Sequence, residues 1–225
     1  YATQLNSEND SFGPDYDKDA TYPAASASEL GSALNEGKIV ALSKDITSND
    51  TIVVNNKTAT LDANGKTVDN TNNICNEGKN NWSLVSARNQ ANLTITGNGN
   101  FKAKEDDCYA VDVQDGSTVT IKNGTFVGNI HAVYVLEGTA IIEGGTYSVQ
   151  QKYPDADKAN EFVLNCYDAN RANDTAKIIV KGGTFINFNP ADCQAEGPHT
   201  NFVANGYKVT SKPVGTDIYY TVVKK

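Results

Sequence analysis

Short runs of alternating apolar and polar residues recur along the chain, and each run ends in a similar turn. Three copies share an alternating run, a Gly-Thr pair and an aromatic residue: Val119–Phe126, Ala140–Tyr147 and Ile178–Phe185. A looser copy spans Leu93–Phe101. Alternation with a period of two is typical of β-strands, and glycine permits a tight turn between strands. Each copy therefore predicts a strand, a glycine turn and a second strand that begins with an aromatic residue.

The spacing of the copies predicts the fold class. Ile121 lies 26 residues after Ile95 and 21 residues before Ile142. Val180 follows Ile142 by 38 residues, which is about one period plus a long insertion. Repeats of this length with β-type alternation are typical of a parallel β-helix, in which insertions lie at the turns. We therefore expect an all-β fold, a single-stranded parallel β-helix solenoid.

A further strand precedes each copy of the motif. Four segments align as this strand: Leu84–Ala87, Ala110–Val113, Ala132–Val135 and Val163–Cys166. Side chains alternate between the two faces of a strand, so stacked strands form an inward and an outward column. The predicted inward column contains Val85, Val111, Val133 and Leu164. The predicted outward column contains Ser86, Asp112, Tyr134 and Asn165. The aromatic residues of the motifs are expected to stack as a ladder: Phe101, Phe126, Tyr147 and Phe185.

The β-helix domain is expected over residues 23–225, with both ends covered as a solenoid requires. It has three predicted parts: a capping helix at 27–36, coils at about 39–206 and a terminal hairpin at 207–223. Gly37 suits the end of the helix, and Pro213 and Gly215 suit the turn of the hairpin.

Residues 1–22 are polar, rich in Asp, Asn and Ser, and have no apolar period. We expect a flexible arm or linker that a partner orders. The chain begins at Tyr1 and contains no methionine, so we expect a fragment or a processed product. The formal net charge of −8 disfavours a nucleic-acid partner. The absence of a long apolar run in the sequence gives no reason to expect a membrane partner.

Acidic residues are the first candidates for chemistry. A hydrolase needs two carboxylates in one groove, and a lyase needs a base and usually a cation. Asp106 and Asp107 lie in a predicted turn, and Asp112 lies in the outward column without a second acid, Arg or Lys among its predicted neighbours. We therefore expect Asp112 to be solvated and predict no catalytic residue.

Metal ligands and cofactors are not predicted. His131 and His199 have no Cys or Asp partner at ligand spacing, so surface or hydrogen-bonding roles are expected. The segment Asp15–Asp19 resembles half of a calcium loop but lacks its central glycine and distal glutamate.

The four cysteines have separate interpretations. Cys166 falls on an inward position and is expected to be a buried thiol. Cys75 and Cys108 occupy similar places on consecutive coils and can pair as a disulfide. Cys193 lies in a predicted loop, and the spacing of the four matches no zinc or redox motif.

Aromatic residues near one strand of successive coils form the candidate binding surface. Aromatic faces beside amide, carboxylate and hydroxyl groups are what a sugar site uses. The candidate glycan contacts are Trp82, Tyr109, Asp112, Tyr134, Asn165 and Tyr167. The insertions Gln150–Asn160 and Asp168–Thr175 are expected to border this face. The alternative interpretation is ordinary loop packing.

The Gly-Gly-Thr-Phe/Tyr motif and the Ile39–Leu42 segment after the predicted helix resemble pectin-lyase-like right-handed parallel β-helices. The C-terminal segments look like those of GGTF-repeat β-helix proteins of gut Bacteroidota and their tailed phages: Gly182–Ala191, Thr200–Val209 and Tyr220–Val223. Some of those proteins are head-fibre or other virion-surface proteins. The resemblance covers about 26–225 and implies a right-handed solenoid. The catalytic Asp clusters and basic residue of pectate lyases have no matching positions here, which weakens a lyase interpretation.

The resemblance implies a non-enzymatic protein of the virion surface, a phage head fibre or capsid decoration that contacts host or mucus glycans. Residues 1–22 would join it to capsid or fibre proteins. A homotrimer is one expected state, because fibre-like β-helices are often trimers. The alternatives are a bacterial cell-surface adhesin module and a polysaccharide lyase or hydrolase of the same fold.

Overall fold

The structure is a computed structural model that describes residues 20–104, 107–152, 161–194 and 199–225. The first half of the chain contains β1 (Thr21–Ala24), α1 (Ala27–Leu34), β2 (Ile39–Leu42), β3 (Ile46–Thr47), β4 (Ile52–Asn55), β5 (Thr58–Asp62), β6 (Thr67–Asp69), a 3-10 helix (Glu77–Lys79), β7 (Ser83–Arg88), β8 (Asn92–Thr96) and β9 (Asn100–Lys102). The second half contains β10 (Tyr109–Val113), β11 (Ser117–Ile121), β12 (Thr125–Gly128), β13 (His131–Val135), β14 (Gly138–Ile142), β15 (Thr146–Val149), β16 (Leu164–Cys166), α2 (Asp168–Ala172), β17 (Ala176–Val180), β18 (Thr184–Ile186), β19 (Tyr207–Val214) and β20 (Asp217–Lys224).

The strands form three sheets, and from β2 to β18 every third strand joins the same sheet. Sheet A has the order β1-β2-β5-β8-β11-β14-β17, sheet B has β19-β20-β18-β15-β12-β9-β6-β3, and sheet C has β16-β13-β10-β7-β4. Every pairing between these named strands is parallel, except where β20 pairs antiparallel with β18 and with β19. This strand-rich topology is compatible with the predicted all-β parallel solenoid.

The predicted inward column of sheet C is confirmed by the strand register. Val111 pairs with Val85 on one side and with Val133 on the other, and Val133 pairs with Leu164. All four side chains are fully buried. Equivalent apolar side chains of successive coils therefore pack on one another, as the alternation requires.

The predicted aromatic ladder is confirmed inside sheet B. The ring centroids of Phe101 and Phe126 lie 4.9 Å apart, those of Phe126 and Tyr147 5.3 Å, and those of Tyr147 and Phe185 5.0 Å. All three pairs are stacked, and their interplanar angles are 12° or less. The buried Tyr147 hydroxyl donates to the Gly144 carbonyl at 2.7 Å. Burial raises the pKa of Tyr147, so this hydroxyl keeps its proton.

The paired glycines of the motif are required by the close approach of successive coils. A Cβ on Gly182 would lie 2.2 Å from the Glu143 carbonyl oxygen, which is far inside van der Waals contact. The second glycine, Gly183, has φ +92°, a conformation that L side chains rarely adopt. The first glycine therefore provides space, and the second provides the turn.

Both ends of the coil stack carry additional elements. The Ser26 hydroxyl accepts from the Glu29 N–H at 3.1 Å, and α1 buries Leu30 and Leu34 against β1, β2 and β4. The helix ends at Leu34, two residues before the predicted end. At the other end, β19 and β20 form the predicted hairpin.

The first strand begins inside the segment that was predicted to be a flexible arm. Thr21 and Tyr22 were expected in the polar arm 1–22, but they pair with Ile39 and Val40 as part of β1. The remainder of the predicted arm, including the acidic Asp15–Asp19 segment, lies outside the described residues except for Ala20.

Candidate functional site

The outward face of sheet C is covered rather than exposed. Asp112 has no exposed surface, and Asn165 is only 6% exposed, although both were predicted to project into solvent. Ser86, from the same column, is also fully buried. The expectation of a solvated Asp112 is therefore wrong, and neither Asp112 nor Asn165 presents a surface to a glycan.

The covering element is the segment before β7. The Arg88 guanidinium donates to the carbonyls of Lys79 and Asn80 at 3.0 and 2.8 Å, and to Asn81 Oδ1 at 2.8 Å. Gln114 Nε2 also donates to the Asn80 carbonyl, at 2.9 Å. These bonds hold the 3-10 helix and its flanking residues over the outer faces of β7 and β10.

Asp112 lies beneath this cover in a polar network. Its carboxylate accepts hydrogen bonds from Ser83 Oγ and from Gln114 Nε2, both at 2.5 Å. Burial raises the pKa of Asp112, while the hydrogen bonds and the positive charge of Arg88 oppose that rise. With its oxygens engaged and no access to solvent, this carboxylate is a structural group.

Two of the predicted aromatic residues do come together. The rings of Tyr109 and Tyr134 have centroids 5.0 Å apart, and both residues are partly exposed. His131 joins them, with its ring 5.0 Å from Tyr109 and 5.5 Å from Tyr134. We call these three residues the aromatic cluster.

His131 is the buried member of the aromatic cluster. It is 8% exposed, and its Nδ1–H donates to the Phe162 carbonyl at 2.6 Å, so the predicted hydrogen-bonding role is confirmed. Burial lowers the pKa of His131 to about 4, so the imidazole is neutral at neutral pH.

Trp82 and Tyr167 flank the aromatic cluster at opposite ends. The Trp82 carbonyl accepts from the Tyr109 N–H at 2.7 Å, which places Trp82 one coil away at the start of the strands. Tyr167 is 45% exposed and follows the last residue of β16. In the strand register it lies five residues beyond the position of Tyr109, about 16 Å along an extended strand. The six predicted contacts therefore do not form one surface.

The predicted loops beside this face differ in structure. Asp168–Ala172 forms the short helix α2, in which the Arg171 guanidinium and the Asp168 carboxylate lie 2.6 Å apart. Of the other insertion, residues 153–160 lie outside the described residues. Asp107 lies in a turn, as predicted, and its N–H donates to Asn129 Oδ1 at 2.7 Å, whereas Asp106 is not described.

Cys75 and Cys108 are neighbours on consecutive coils, and Cys166 and Cys193 are buried. Cys75 and Cys108 are thiols whose Sγ atoms lie 3.4 Å apart, so the predicted neighbours on consecutive coils do meet. Cys166 is 1% exposed, as predicted for an inward position. Cys193 is also 1% exposed, and its Sγ lies 3.8 Å from the Leu164 carbonyl oxygen.

A cavity that the sequence did not predict lies at the C-terminal end of the stack. It has a volume of about 340 Å³, and its walls include Glu161, Phe162, Phe188, Asp192, Ile218 and Tyr220. Three segments far apart in the chain supply these residues, and none of the segments belongs to the repeat. No periodic signal therefore marks them.

In the described ranges, no three His, Cys, Asp or Glu side chains are grouped as a metal site. Neither of the α-helices in that part of the chain is long and apolar enough to cross a membrane. Comparison with known proteins assigns no family, since no family model, curated protein or solved structure matches the chain.

Proposed function

We propose that the protein is a non-enzymatic right-handed parallel β-helix displayed on a virion surface, as a head fibre or capsid decoration. In this proposal, α1 caps the first coil, the β19–β20 hairpin covers the last, and the polar segment before β1 attaches the solenoid to capsid or fibre proteins. The C-terminal resemblance to virion-surface β-helix proteins motivates this role.

The stacked coils support a display role. Each inner coil is hydrogen-bonded to both neighbours in all three sheets, and a continuous apolar core joins α1 to the last coil. In such a solenoid, the stability comes from contacts between neighbouring coils. The residues on the outer surface can therefore differ according to the ligand or partner without loss of the fold. A rigid scaffold of this kind holds a surface away from its point of attachment.

The burial of Asp112 is the observation that carries the non-enzymatic part of the proposal. A polysaccharide lyase or hydrolase needs a carboxylate or another base that reaches the substrate. Asp112 is the acid that the strand pattern places in the middle of a sheet face, and it is enclosed beneath Asn80 and Arg88. Incubation with acidic polysaccharides, with and without calcium, should yield no unsaturated product. Product formation would overturn this part of the proposal.

The location is tested with antibodies raised against the purified chain. We expect electron microscopy to show labelling of intact phage particles that infect gut Bacteroidota. Labelling of uninfected bacterial surfaces would instead support the adhesin alternative. Cytoplasmic protein that is associated with neither particles nor surfaces would rule out both. Light scattering on the same protein tests the expected homotrimer.

Weak glycan contact is proposed for the aromatic cluster. Partly exposed tyrosine rings stack on the C–H faces of sugars while their hydroxyls form hydrogen bonds. A glycan array with the wild-type protein and the Tyr134→Ala variant tests this contact. Binding that is unchanged in the variant would place glycan recognition elsewhere on the molecule.

A further inference from the structure

Strand β19 is the edge strand of sheet B at the C-terminal end of the stack. It pairs with β20 along its whole length, and among the described strands none pairs with its other edge. The Lys225 N–H donates to the Gly206 carbonyl at 2.9 Å, and hydrogen-bonded pairs alternate along an antiparallel ladder. The backbone N–H and C=O groups of Val209 and Ser211 therefore point away from β20. We call this side of β19 the open edge, and such an edge can accept an added strand.

The open edge carries positive charge on one face of the hairpin. Lys208, Thr210 and Lys212 are exposed, and they share this face because side chains alternate along a strand. Neither lysine forms an ion pair with another residue of the described ranges. Asp217 is the one acidic residue of the hairpin, and its carboxylate accepts a hydrogen bond from the Asn187 side chain at 2.9 Å. An added strand with acidic side chains on this face would complement the two lysines.

The same lysines disfavour the pairing of two β19 strands with each other. An antiparallel pair centred on Thr210 would place Lys208 of each copy opposite Lys212 of the other. Like charges directly opposite destabilise a strand pair, and lysines on edge strands oppose edge-to-edge association. Pro213 lies on the open-edge side of the alternation and has no N–H to donate. The edge is therefore protected against its own copy in another molecule but not against an acidic strand.

An acidic strand pattern occurs in the chain itself, just before β1. Asp15, Asp17 and Asp19 alternate with Tyr16 and Lys18. In an extended conformation, alternate side chains project to the same face. The segment Asp15–Asp19 would thus present three carboxylates on one face when it is added to a sheet.

The spacing of the carboxylates matches the spacing of the lysines. Asp15 and Asp19 are four residues apart, and so are Lys208 and Lys212. Paired strands rise by nearly the same distance per residue, so both carboxylates can lie beside a lysine in either strand direction. Charge and register therefore favour the same occupant of the open edge.

The segment Asp15–Asp19 cannot reach the open edge of its own copy. Asp19 precedes Thr21, the first residue of β1, by two residues, which span at most about 7 Å. The seven strands of sheet A place β1 and β17 about 29 Å apart, at about 4.8 Å for each strand spacing. Because β19 lies beyond the last coil at the β17 end, only a second copy can supply the acidic strand.

We propose that the segment Asp15–Asp19 of one copy adds as a strand to the open edge of β19 in the next copy. The inference rests on the attachment role that the proposed function gives to the polar segment before β1, and it identifies the fibre protein as a second copy of this chain. The contact joins two different surfaces. It therefore closes into a ring, such as the expected homotrimer, or continues as a filament.

Two variants and their mixture test this contact. One variant carries Asp15→Asn, Asp17→Asn and Asp19→Asn and keeps the open edge, and the other carries Lys208→Glu and Lys212→Glu and keeps the acidic segment. In sedimentation velocity, we expect the wild-type protein to associate as its concentration rises, and each variant alone to associate at least about tenfold more weakly. An equal mixture of the two should form a complex of two chains and nothing larger, because it contains one competent segment and one competent edge.

A charge-matched control separates this contact from a general effect of net charge. Lys57→Glu together with Lys177→Glu changes the net charge by the same amount at two exposed lysines outside the hairpin. We expect this control to associate like the wild-type protein, and equal weakening in the control would overturn the proposal. Circular dichroism melting curves check the fold of each variant, and the two-chain complex shows independently that both of its members are folded.

Hydrogen exchange identifies the edge that is occupied. In assembled wild-type protein, the amides of Val209 and Ser211 should exchange more slowly than in the Lys208→Glu and Lys212→Glu variant, because an added strand accepts their N–H groups. The amides of β12 should not differ. Association without any change at Val209 and Ser211 would place the contact elsewhere and overturn the strand addition.

Failure of this contact can be distinguished from failure of the display role. Wild-type protein that remains monomeric, or variants that associate as well as the wild type, would overturn the contact, and labelled virions would still support display. Association that depends on the acidic segment, in a protein that labels no virion, would retain the contact and overturn the display role.

Discussion

The interior of sheet B and the outer face of sheet C are both buried, but for different reasons. In sheet B, one aromatic residue per coil stacks on the next, and the same contact is repeated along the rod. On sheet C, Asp112 is buried by the segment before β7, which has no counterpart on the other coils. Arg88 and Gln114 hold this segment in place by hydrogen bonds to the backbone carbonyls of Lys79 and Asn80. Side chains inside sheet B are buried by contacts that repeat from coil to coil, whereas those on the outer face of sheet C are buried by a single insertion.

This difference indicates how the solenoid can acquire function. A change in the repeat alters the contacts of two neighbouring coils at once, so the interior is constrained. An insertion adds a surface to one coil and leaves the inward register unchanged. We therefore expect ligand-binding surfaces of this protein to lie on insertions and on the end of the stack.

The strongest way to break the interior region is to remove a rung of the aromatic ladder. Phe126→Ala should lower the free energy of unfolding by about 3–5 kcal/mol, because a fully buried ring leaves a cavity between Phe101 and Tyr147. Denaturant unfolding measures this loss. Val127→Ala, a partly exposed neighbour on β12, should cost much less. Equal losses in the two variants would show that the ladder has no special role.

Oxidation should strengthen the covered region. Cys75 lies in the segment before β7 and Cys108 lies just before β10, with sulfurs 3.4 Å apart. A disulfide between them would join positions 33 residues apart in sequence and stabilise the protein by about 3 kcal/mol. Peptide mass mapping after mild oxidation should detect this link, and a Cys75→Ser variant should show neither the link nor the gain. Oxidised wild-type protein that melts at the same temperature as reduced protein would contradict the prediction.

Acid should weaken sheet C at a different place, through His131 at the start of β13. Its pKa is about 4 in the folded protein and about 6.5 when unfolded, so the unfolded chain binds the proton first as the pH falls. Stability is therefore complete above pH 6.5 and decreases by about 3 kcal/mol as the pH falls towards 4. Unfolding curves across this range measure the slope.

A matched variant isolates the contribution of His131. His131→Asn keeps an amide N–H near the position of Nδ1 and removes the titration, so its unfolding free energy should vary less with pH. The control Val127→Ala leaves every titrating group in place and should retain the wild-type slope. If His131→Asn retained the wild-type slope, the assignment to the aromatic cluster would be wrong.

The predictable part of this fold is the part that repeats. Alternation and spacing alone predicted the pairings Val85–Val111–Val133–Leu164, because equivalent apolar positions of successive coils pack on one another in the same way. The cover over Asp112 was missed because its Asn- and Gly-containing segment resembles a solvated loop and has no second copy. One signal was available in the sequence, namely the spacing between apolar strands. Ile52, which pairs with Val85, lies 33 residues before it, whereas Val111 follows Val85 by only 26 residues. The extra length, together with Arg88 at the end of β7, indicates a segment that folds back on the sheet.

The cover itself should be sensitive to Arg88. Arg88→Ala removes hydrogen bonds to Lys79, Asn80 and Asn81 and should lower the free energy of unfolding by about 2 kcal/mol. Hydrogen exchange should show faster exchange of the amides in residues 76–81, with little change in β12. Lys79 contributes a backbone carbonyl to this network, so Lys79→Ala is the control and should leave the protection unchanged. Unchanged exchange in Arg88→Ala would mean that other contacts hold the cover.

The smallest expected effect concerns the charge of Asp112. Asp112→Asn removes a desolvated carboxylate but turns an amide N–H towards the Ser83 or Gln114 donor, so the two changes offset to within about 1 kcal/mol at neutral pH.

The pH profile of this variant supplies the sharper measurement. Because burial raises the pKa of Asp112, its contribution to stability is present below about pH 3.8 and is lost as the pH rises through the folded-state value. This slope is opposite in sign to that of His131 and should be absent in the Asn variant. A loss of several kcal/mol at neutral pH would instead mean that attraction to Arg88 exceeds the cost of desolvation. The outer face of sheet C would then be held by charge, and its contrast with the apolar interior of sheet B would be greater still.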